Sequence, residues 1–270
     1  MPEFAVSNIA LSAYDHEEEL LRLPELGLQG LEVAPSRVWR DTWQGLTPRE
    51  VETYRQTVER AGLKIVGLHS LFFDHPELGL FKDPETRVRT LDYLVHLSGL
   101  CRDLGGRTMI YGGGRHRGEV AIDKANTETI DFCHQLCSRI EDHGTCLCFE
   151  PLGPNDSDFI NSAYDALEIV DIVNHPSLRS QLDAKALVEN DEVTIDLFRA
   201  AKSTITHFHA NEPGLNVLGQ TGQIDHAFFG ASLRDIGYNG YVSIEQRMLN
   251  QENPLSDLEA SVAVLKECYS

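Results

Sequence analysis

Short apolar stretches and helical patterns alternate along this chain about eight times. Two helix starts are clear: Thr47-Pro48-Arg49-Glu50 combines a capping threonine, a proline and a glutamate three residues after the cap, and Asp83-Pro84 opens a longer helix. Regular alternation of strands and helices indicates a parallel sheet. Eight such units in 270 residues favour a closed (β/α)₈ TIM barrel of the α/β class, and we expect a single domain over residues 1–270.

An open sheet that binds a dinucleotide is the main alternative fold. It would need a Gly-x-Gly-x-x-Gly turn after an early strand. The glycine cluster that follows an apolar stretch, Gly112-Gly113-Gly114, lacks this spacing and comes late in the chain. The glycine pattern therefore favours the barrel.

Four of the apolar stretches end in a side chain that can bind a metal ion: Glu150, Asp183, His209 and Glu245. Successive members are 33, 26 and 36 residues apart, and one strand–helix unit has about 30 residues. The four therefore fall on four successive strands. A parallel barrel gathers the carboxyl ends of its strands at one face, so we expect these side chains to meet there.

Three carboxylates and one imidazole are a suitable ligand set for a divalent cation such as Mn²⁺, Mg²⁺, Co²⁺ or Zn²⁺. A purely structural zinc site would be richer in thiolates. Any one carboxylate at a strand end is also a common solvated loop residue, so the prediction rests on the four together. His207 and His209 lie on the same face of their strand, and His209 is the expected ligand because it lies nearer the strand's end.

The sequence resembles the xylose-isomerase-like TIM-barrel superfamily, in particular its sugar-phosphate isomerase and epimerase branch. The similarity extends from Ser7-Asn8 to Glu245. It is most specific in Phe149-Glu150-Pro151, Leu182-Asp183, His207-Phe208-His209-Ala210-Asn211-Glu212 and Gly237-Tyr238-Asn239-Gly240. The resemblance implies one divalent metal ion, with Mn²⁺ as the expected ion, bound by Glu150, Asp183, His209 and Glu245. It also implies that Glu150 and Glu245 act as catalytic acid and base.

Two positions depart from the ketose 3-epimerases of that family. Those enzymes have a histidine three residues after the metal-binding aspartate and an arginine six residues after the metal-binding histidine, where this chain has Ala186 and Leu215. Both departures argue against epimerisation of a free ketose. The expected activity is that of an isomerase or epimerase of a sugar, keto-sugar or cyclitol, by proton abstraction next to a carbonyl through an enediolate. A lyase or dehydratase acting on a keto-sugar or 3-keto-glycoside, and a non-catalytic sugar- or metal-binding barrel, are the alternatives.

Five further residues are candidate substrate contacts: His69, Lys185, Glu32, Arg115 and Trp43. His69 and Glu32 lie near the ends of early strands, and Lys185 follows Asp183 by two residues. Arg115 follows the glycine turn and would meet a phosphate or an acidic substrate. Trp43 lies on a long loop and would form a wall of a sugar pocket. Solvation on a loop or packing beneath one is the plain structural interpretation of each.

The formal net charge of the chain is −19. An acidic surface repels nucleic-acid phosphates and anionic lipids, so the expected partner is a small carbohydrate, with no nucleic acid and no membrane. The N-terminus lacks the layout of a signal peptide, and no apolar run approaches the ~20 residues of a membrane helix. Of the six cysteines, two lie four residues apart in a helical pattern and two lie inside a strand, and these four, Cys133, Cys137, Cys146 and Cys148, are interpreted as buried, reduced side chains. These features predict a cytoplasmic protein, and a homo-oligomer is left open.

Overall fold

The computed structural model of the protein describes residues 2–270, in which eight parallel strands close into one barrel. The strands are β1 (Glu3–Ser7), β2 (Gly30–Val33), β3 (Lys64–Leu68), β4 (Thr108–Tyr111), β5 (Cys146–Phe149), β6 (Leu178–Asp183), β7 (Ile205–Ala210) and β8 (Tyr241–Ile244). Each strand pairs with the next, and β8 pairs with β1. The predicted (β/α)₈ barrel is therefore confirmed.

Helices surround the barrel and follow its strands in chain order. Those of residues 2–270 are α1 (Glu17–Arg22), α2 (Pro48–Arg60), α3 (Pro84–Asp103), α4 (Ile122–Ile140), α5 (Ala163–Val173), α6 (Ala184–Glu189), α7 (Ile195–Ala201), α8 (His226–Asp235) and α9 (Pro254–Tyr269). The predicted starts are confirmed: Thr47 and Glu50 form a capping box on α2, and Asp83 caps α3. Capping satisfies backbone N–H groups that the first helical turn leaves free.

The alternation of side chains along β7 shows how one strand serves both the core and the barrel interior. Phe208 points outward and packs against Phe198 of α7 and Phe229 of α8, with ring centroids 6.3 and 5.8 Å away. His207 and His209 point the other way, into the barrel, and both are fully buried. A strand turns successive side chains to opposite faces, which is why the two histidines share the inner face as predicted.

The strand register sets the height of the inward side chains. Asp183 of β6 is level with His209 of β7, and His209 is level with Ser243 of β8. Glu245 follows β8 directly, two residues beyond Ser243. The polar ends of these strands therefore lie at one face of the barrel, as the fold requires.

The helices and the cysteines can be compared with the expectations drawn from the sequence. Within the described part of the chain no helix has both the length and the apolar character needed to cross a membrane. The six cysteines are free thiols, and five of them are buried. Burial raises the pKa of the Cys133 thiol well above its ordinary value, so this side chain behaves as a small apolar group in the core.

Candidate metal centre

The four side chains predicted to bind a metal ion converge at the carboxyl ends of β5 to β8. Glu150, Asp183, His209 and Glu245 each offer one ligand atom, and these atoms all lie within 4.8 Å of one another. His209 Nδ1 is 3.0 Å from Glu150 Oε1, 3.6 Å from Asp183 Oδ2 and 3.5 Å from Glu245 Oε2. Atoms that share an ion through bonds of ~2–2.6 Å have such separations, so this donor set fits one divalent cation.

Asp183 and Glu245 are held together by an amide that sequence reasoning did not single out. Asn211, just beyond the end of β7, donates from Nδ2 to Asp183 Oδ2 at 2.6 Å and to Glu245 Oε2 at 2.9 Å. The other oxygen of Asp183 accepts from the backbone N–H of Ala186 at 2.8 Å and so caps α6. Both carboxylates are thereby fixed in orientation before any ligand binds.

Glu150 is positioned by the end of β4 and the loop that follows it. The backbone N–H of Glu150 donates to the Tyr111 carbonyl at 3.3 Å, and the Arg115 guanidinium donates to the backbone carbonyl of Glu150. A Cβ atom at Gly112 would lie 2.2 Å from Glu150 Oε2. Glycine at position 112 therefore leaves the space that the Glu150 carboxylate occupies.

A fully buried fourth carboxylate, that of Glu32, lies on the other side of His209. His209 Nε2 is 3.0 Å from Glu32 Oε2, and Ser243 Oγ donates to the same oxygen at 2.9 Å. A hydrogen bond from Nε2–H to Glu32 places the ring proton on Nε2 and leaves the lone pair of Nδ1 facing the three other carboxylates. Glu32, a candidate substrate contact from sequence, is thus placed where it orients the imidazole.

His207 lies next to Glu32, one layer deeper in the barrel. Its Nε2 is 3.1 Å from Glu32 Oε1, and Glu32, His207 and His209 form a second group of closely spaced ligand atoms. Burial lowers the pKa of His207, which favours the neutral form of this imidazole. This second group shares His209 with the first and contains a single carboxylate, so it attracts a cation less strongly than the first group.

The electrostatics of the cluster favour a positive charge at its centre. Burial lowers the pKa of His209, but the charges of Glu32 and Glu245 outweigh burial and raise it well above the ordinary value. Burial raises the pKa of Glu150. Burial acts in the same direction on Glu245, but His209 and His69 outweigh it and lower the pKa of Glu245 to about 2. The carboxylates thus favour a second proton on the imidazole, at Nδ1, and a divalent cation bound at Nδ1 would replace that proton in the same negative field.

A cavity of about 510 Å³ opens above this cluster, with Glu150, Glu245 and His69 at its polar end. His69 is buried; its Nε2 lies 2.5 Å from Ser7 Oγ, and its Nδ1 lies 3.7 Å from Glu245 Oε1. The remaining walls come mainly from the loops after β3 and β4. The volume is within the range of ~300–1,000 Å³ that small-molecule sites occupy.

Three candidate substrate contacts, Lys185, Trp43 and Arg115, do not line this cavity. Lys185 Nζ is 2.5 Å from Asp156 Oδ2 and 3.5 Å from Glu189 Oε2. Trp43 packs against Tyr93 and His75, with ring centroids 5.0 and 5.6 Å away.

Arg115 differs most from expectation, because its side chain is 1% exposed. Its guanidinium donates to the backbone carbonyls of Glu150, Phe159 and Ile160. Burial lowers the pKa of Arg115 to about 10. The expected anion-binding arginine is thus a group that joins the end of β5 to the loop before α5.

The sequence profile of the xylose isomerase-like TIM barrel family matches residues 20–268. The chain belongs to this family, and the resemblance seen in the sequence is confirmed. The D-psicose 3-epimerase of Ruminiclostridium cellulolyticum is 30% identical over 127 residues, a stretch that spans 46% of this chain and 43% of that relative. The fructoselysine 3-epimerase of Escherichia coli is 21% identical over 243 residues, 85% of each chain.

The solved structure of the D-psicose 3-epimerase of Clostridium cellulolyticum with D-tagatose has the same fold. The TM-score is 0.82 at 17% sequence identity, and the superposition covers 99% of both chains. At this identity the likeness shows the architecture alone. The chemistry of this chain has to be argued from its own residues.

Proposed function

We propose that this protein is a metal-dependent epimerase or isomerase of a sugar derivative, which moves a proton at a carbon next to a carbonyl. The observation that carries the proposal is the placement of two glutamates, Glu150 and Glu245, beside one shared cluster of ligand atoms at the polar end of a cavity. The relatives described above, which are named as sugar 3-epimerases, support the same reaction type.

The ion would be held by Glu150, Asp183, His209 and Glu245. Three oxygen donors and one nitrogen suit Mn²⁺, with Mg²⁺, Co²⁺ and Zn²⁺ as further candidates. When bound, a divalent cation polarises a carbonyl and stabilises negative charge that develops on oxygen. Asn211 and Glu32 keep the ligands in place, the first through Asp183 and Glu245 and the second through His209 Nε2.

Glu150 and Glu245 carry the proton transfer. In one direction a carboxylate oxygen of the first glutamate removes the proton from carbon, and the second glutamate returns a proton from its own oxygen. In the reverse reaction the two exchange roles. Return to the opposite face of the same carbon inverts that centre, and return to the neighbouring carbon isomerises the substrate. The two groups come from separate strands, β5 and β8, so they can approach a substrate from different sides.

His69 is a further polar group that lies beside Glu245 and lines the cavity. Its Nδ1 lies 3.7 Å from Glu245 Oε1, and Ser7 fixes the ring from the other side. It is therefore suited to orient Glu245 or to donate to a substrate oxygen. At the two positions where ketose 3-epimerases have polar substrate contacts, Ala186 is buried and Leu215 has an apolar side chain. We therefore expect substituted keto-sugars to be better substrates than free ketoses.

Proton exchange with solvent tests the proposal whichever product the reaction forms. The Mn²⁺-loaded protein is incubated in D₂O with ketoses, inososes and 3-keto-glycosides, and NMR follows deuterium at each carbon. We expect deuterium next to the carbonyl of at least one substrate, together with an epimer or isomer. Binding without exchange for every compound would contradict the proposal. A product that has lost water or an aglycone would identify a lyase instead.

A further inference from the structure

The cavity above Glu150 and Glu245 changes character along its length. Its inner end carries the two carboxylates and His69, whereas its walls carry apolar side chains or glycine for most of their extent. The apolar wall residues include Leu71, Phe72, Phe73, Leu80, Phe81 and Leu152. A free sugar bears hydroxyl groups along its whole length. Burial of a hydroxyl without a hydrogen-bond partner destabilises the bound state.

The polar side chains near the outer end of the cavity have partners elsewhere. Lys82 Nζ donates to the backbone carbonyls of Pro76 at 2.7 Å and Glu77 at 2.6 Å. His116 Nδ1 lies 3.5 Å from Asp158 Oδ1, and its ring is largely exposed to solvent. A ligand that reached this part of the cavity would therefore meet apolar groups, with few side chains free to bind its hydroxyls.

The aromatic side chains of the wall differ in how firmly they are packed. Phe72 contacts Tyr93 and Tyr111, with centroids 5.9 and 5.8 Å away, and Phe81 meets Phe159 edge-to-face at 5.1 Å. Phe73 is 78% exposed although it borders the same cavity. An exposed phenylalanine at the mouth of an apolar cavity gains most from a ligand that covers its face.

We propose that the substrate is a keto-sugar that carries an apolar, planar substituent, such as an aryl glycoside with a keto group on its sugar ring. The sugar end meets Glu150 and Glu245, and the aryl group lies along Leu80 and Phe81 and is covered by Phe73. The placement of the sugar end at Glu150 and Glu245 rests on the proposed function. The apolar wall and Phe73 carry the assignment of the substituent.

Binding of unreactive probes tests the substituent separately from the chemistry. Phenyl β-D-glucoside and methyl β-D-glucoside share the sugar and differ in the substituent alone, and calorimetry with the Mn²⁺-loaded protein gives both dissociation constants. Burial of a phenyl ring predicts about 10- to 100-fold tighter binding of the phenyl compound. Equal affinities, or no measurable binding of the phenyl compound, would overturn the proposal.

A matched pair of variants locates the effect in the cavity. Phe73→Ser should reduce the preference for the phenyl compound by about 3- to 10-fold, since it removes one of the faces that the ring covers. Leu21→Ser, which changes a side chain 59% exposed on α1 and outside the cavity, should leave the preference unchanged. An equal loss of preference in both variants, or no loss in Phe73→Ser, would place the phenyl group elsewhere.

Exchange kinetics separate this proposal from the proposed function. Phenyl and methyl 3-keto-β-D-glucosides are compared in D₂O, and kcat/KM for deuterium uptake should favour the phenyl compound by about tenfold or more. Tight binding of the phenyl probe, without exchange in either keto-glucoside or in any other compound of the panel above, would contradict the proposed function and leave the substituent assignment standing. Exchange with equal kcat/KM for both compounds would support the proposed function and contradict the substituent assignment.

Discussion

Glu32 of β2 and His209 of β7 meet across the interior of the barrel, with Glu32 Oε2 3.0 Å from His209 Nε2. The two residues are 177 positions apart in the chain. This contact leaves Nδ1 of His209 directed at Glu150, Asp183 and Glu245. The orientation of the imidazole, and with it the shape of the candidate metal centre, depends on a residue that is not itself among the four proposed ligands.

The first prediction concerns this contact. Glu32→Ala removes the acceptor of the Nε2 proton and should weaken Mn²⁺ binding by about 10- to 100-fold, the usual effect of losing a partner behind a metal-binding histidine. Calorimetric titration of the purified variant with Mn²⁺ measures this. Glu212→Ala is the matched control, because Glu212 is equally buried and lies 3.0 Å from Nε2 of His226, outside the site. Equal loss of Mn²⁺ affinity in the two variants would contradict the role given to Glu32.

The second prediction concerns the close approach at Gly112. Gly112→Ala places a methyl group 2.2 Å from the present position of Glu150 Oε2, so the carboxylate has to move. We expect weaker Mn²⁺ binding and a loss of turnover, with an unchanged far-UV circular dichroism spectrum. Gly113→Ala is the control, since an added Cβ there meets no atom within 4 Å. Normal Mn²⁺ affinity in Gly112→Ala would show that Glu150 is not a ligand in this position.

The third prediction concerns the two glutamates. Glu150→Gln and Glu245→Gln keep the side-chain shape and remove the group that exchanges a proton with carbon. Each should lower turnover by about 10²–10⁴-fold at saturating Mn²⁺. Deuterium exchange and product formation are measured in both variants and in the parent protein. The variant without the base should not exchange, whereas the variant without the returning acid should exchange and form little product. Normal turnover in both would exclude the proposed mechanism.

The fourth prediction concerns stability and pH. Burial lowers the pKa of His226, which lies 2.8 Å from the Tyr269 hydroxyl and is 4% exposed. The unfolded chain binds a proton at this residue below about pH 6.5, and the folded chain binds it less readily. The contribution of His226 to stability is therefore full above pH 6.5 and falls as the pH drops, by up to about 1.4 kcal/mol per unit.

Urea unfolding between pH 7.5 and 5.5 in the presence of EDTA measures this slope. His226→Asn should flatten the dependence of the unfolding free energy on pH, because the buried titrating group is gone. His134→Asn, which changes an exposed residue of α4, should leave the slope unchanged. A slope that is the same in His226→Asn and the parent protein would contradict the prediction.

The sequence predicted the barrel and the ends of its last four strands because these depend on local patterns. An apolar run followed by Glu150 or Glu245 is visible whatever the rest of the fold. The contact of Glu32 with His209 is not, because barrel closure and strand tilt decide which inward side chains face each other across the interior. The role of Asn211 could not be predicted for the same reason. Asn211 lies two residues after His209, and only its position beside Asp183 and Glu245 shows its role.

Arg115 shows a different limit of sequence reasoning. Charged residues after a glycine turn are usually exposed, and nothing in the pattern marks this one as buried. Its partners are backbone carbonyls, whose positions depend on the path of the loop before α5. Lys185 is similar in part: Glu189 lies four residues further on in α6, but the nearer carboxylate, that of Asp156, belongs to a loop whose path the sequence does not show.

Arg115 holds the loop before α5 through backbone carbonyls, and this determines which residues of the loop can be substituted. Every residue type supplies a carbonyl oxygen, so the three acceptors at Glu150, Phe159 and Ile160 are independent of the side chains at positions 159 and 160. The exposed side chains of Pro154 and Asn155 in this loop can therefore be exchanged while its attachment to β5 is retained, whereas Gly153, Phe159 and Ile160 are buried and have to be kept. Libraries randomised at positions 154 and 155 should keep a high fraction of folded members, provided that position 115 stays arginine.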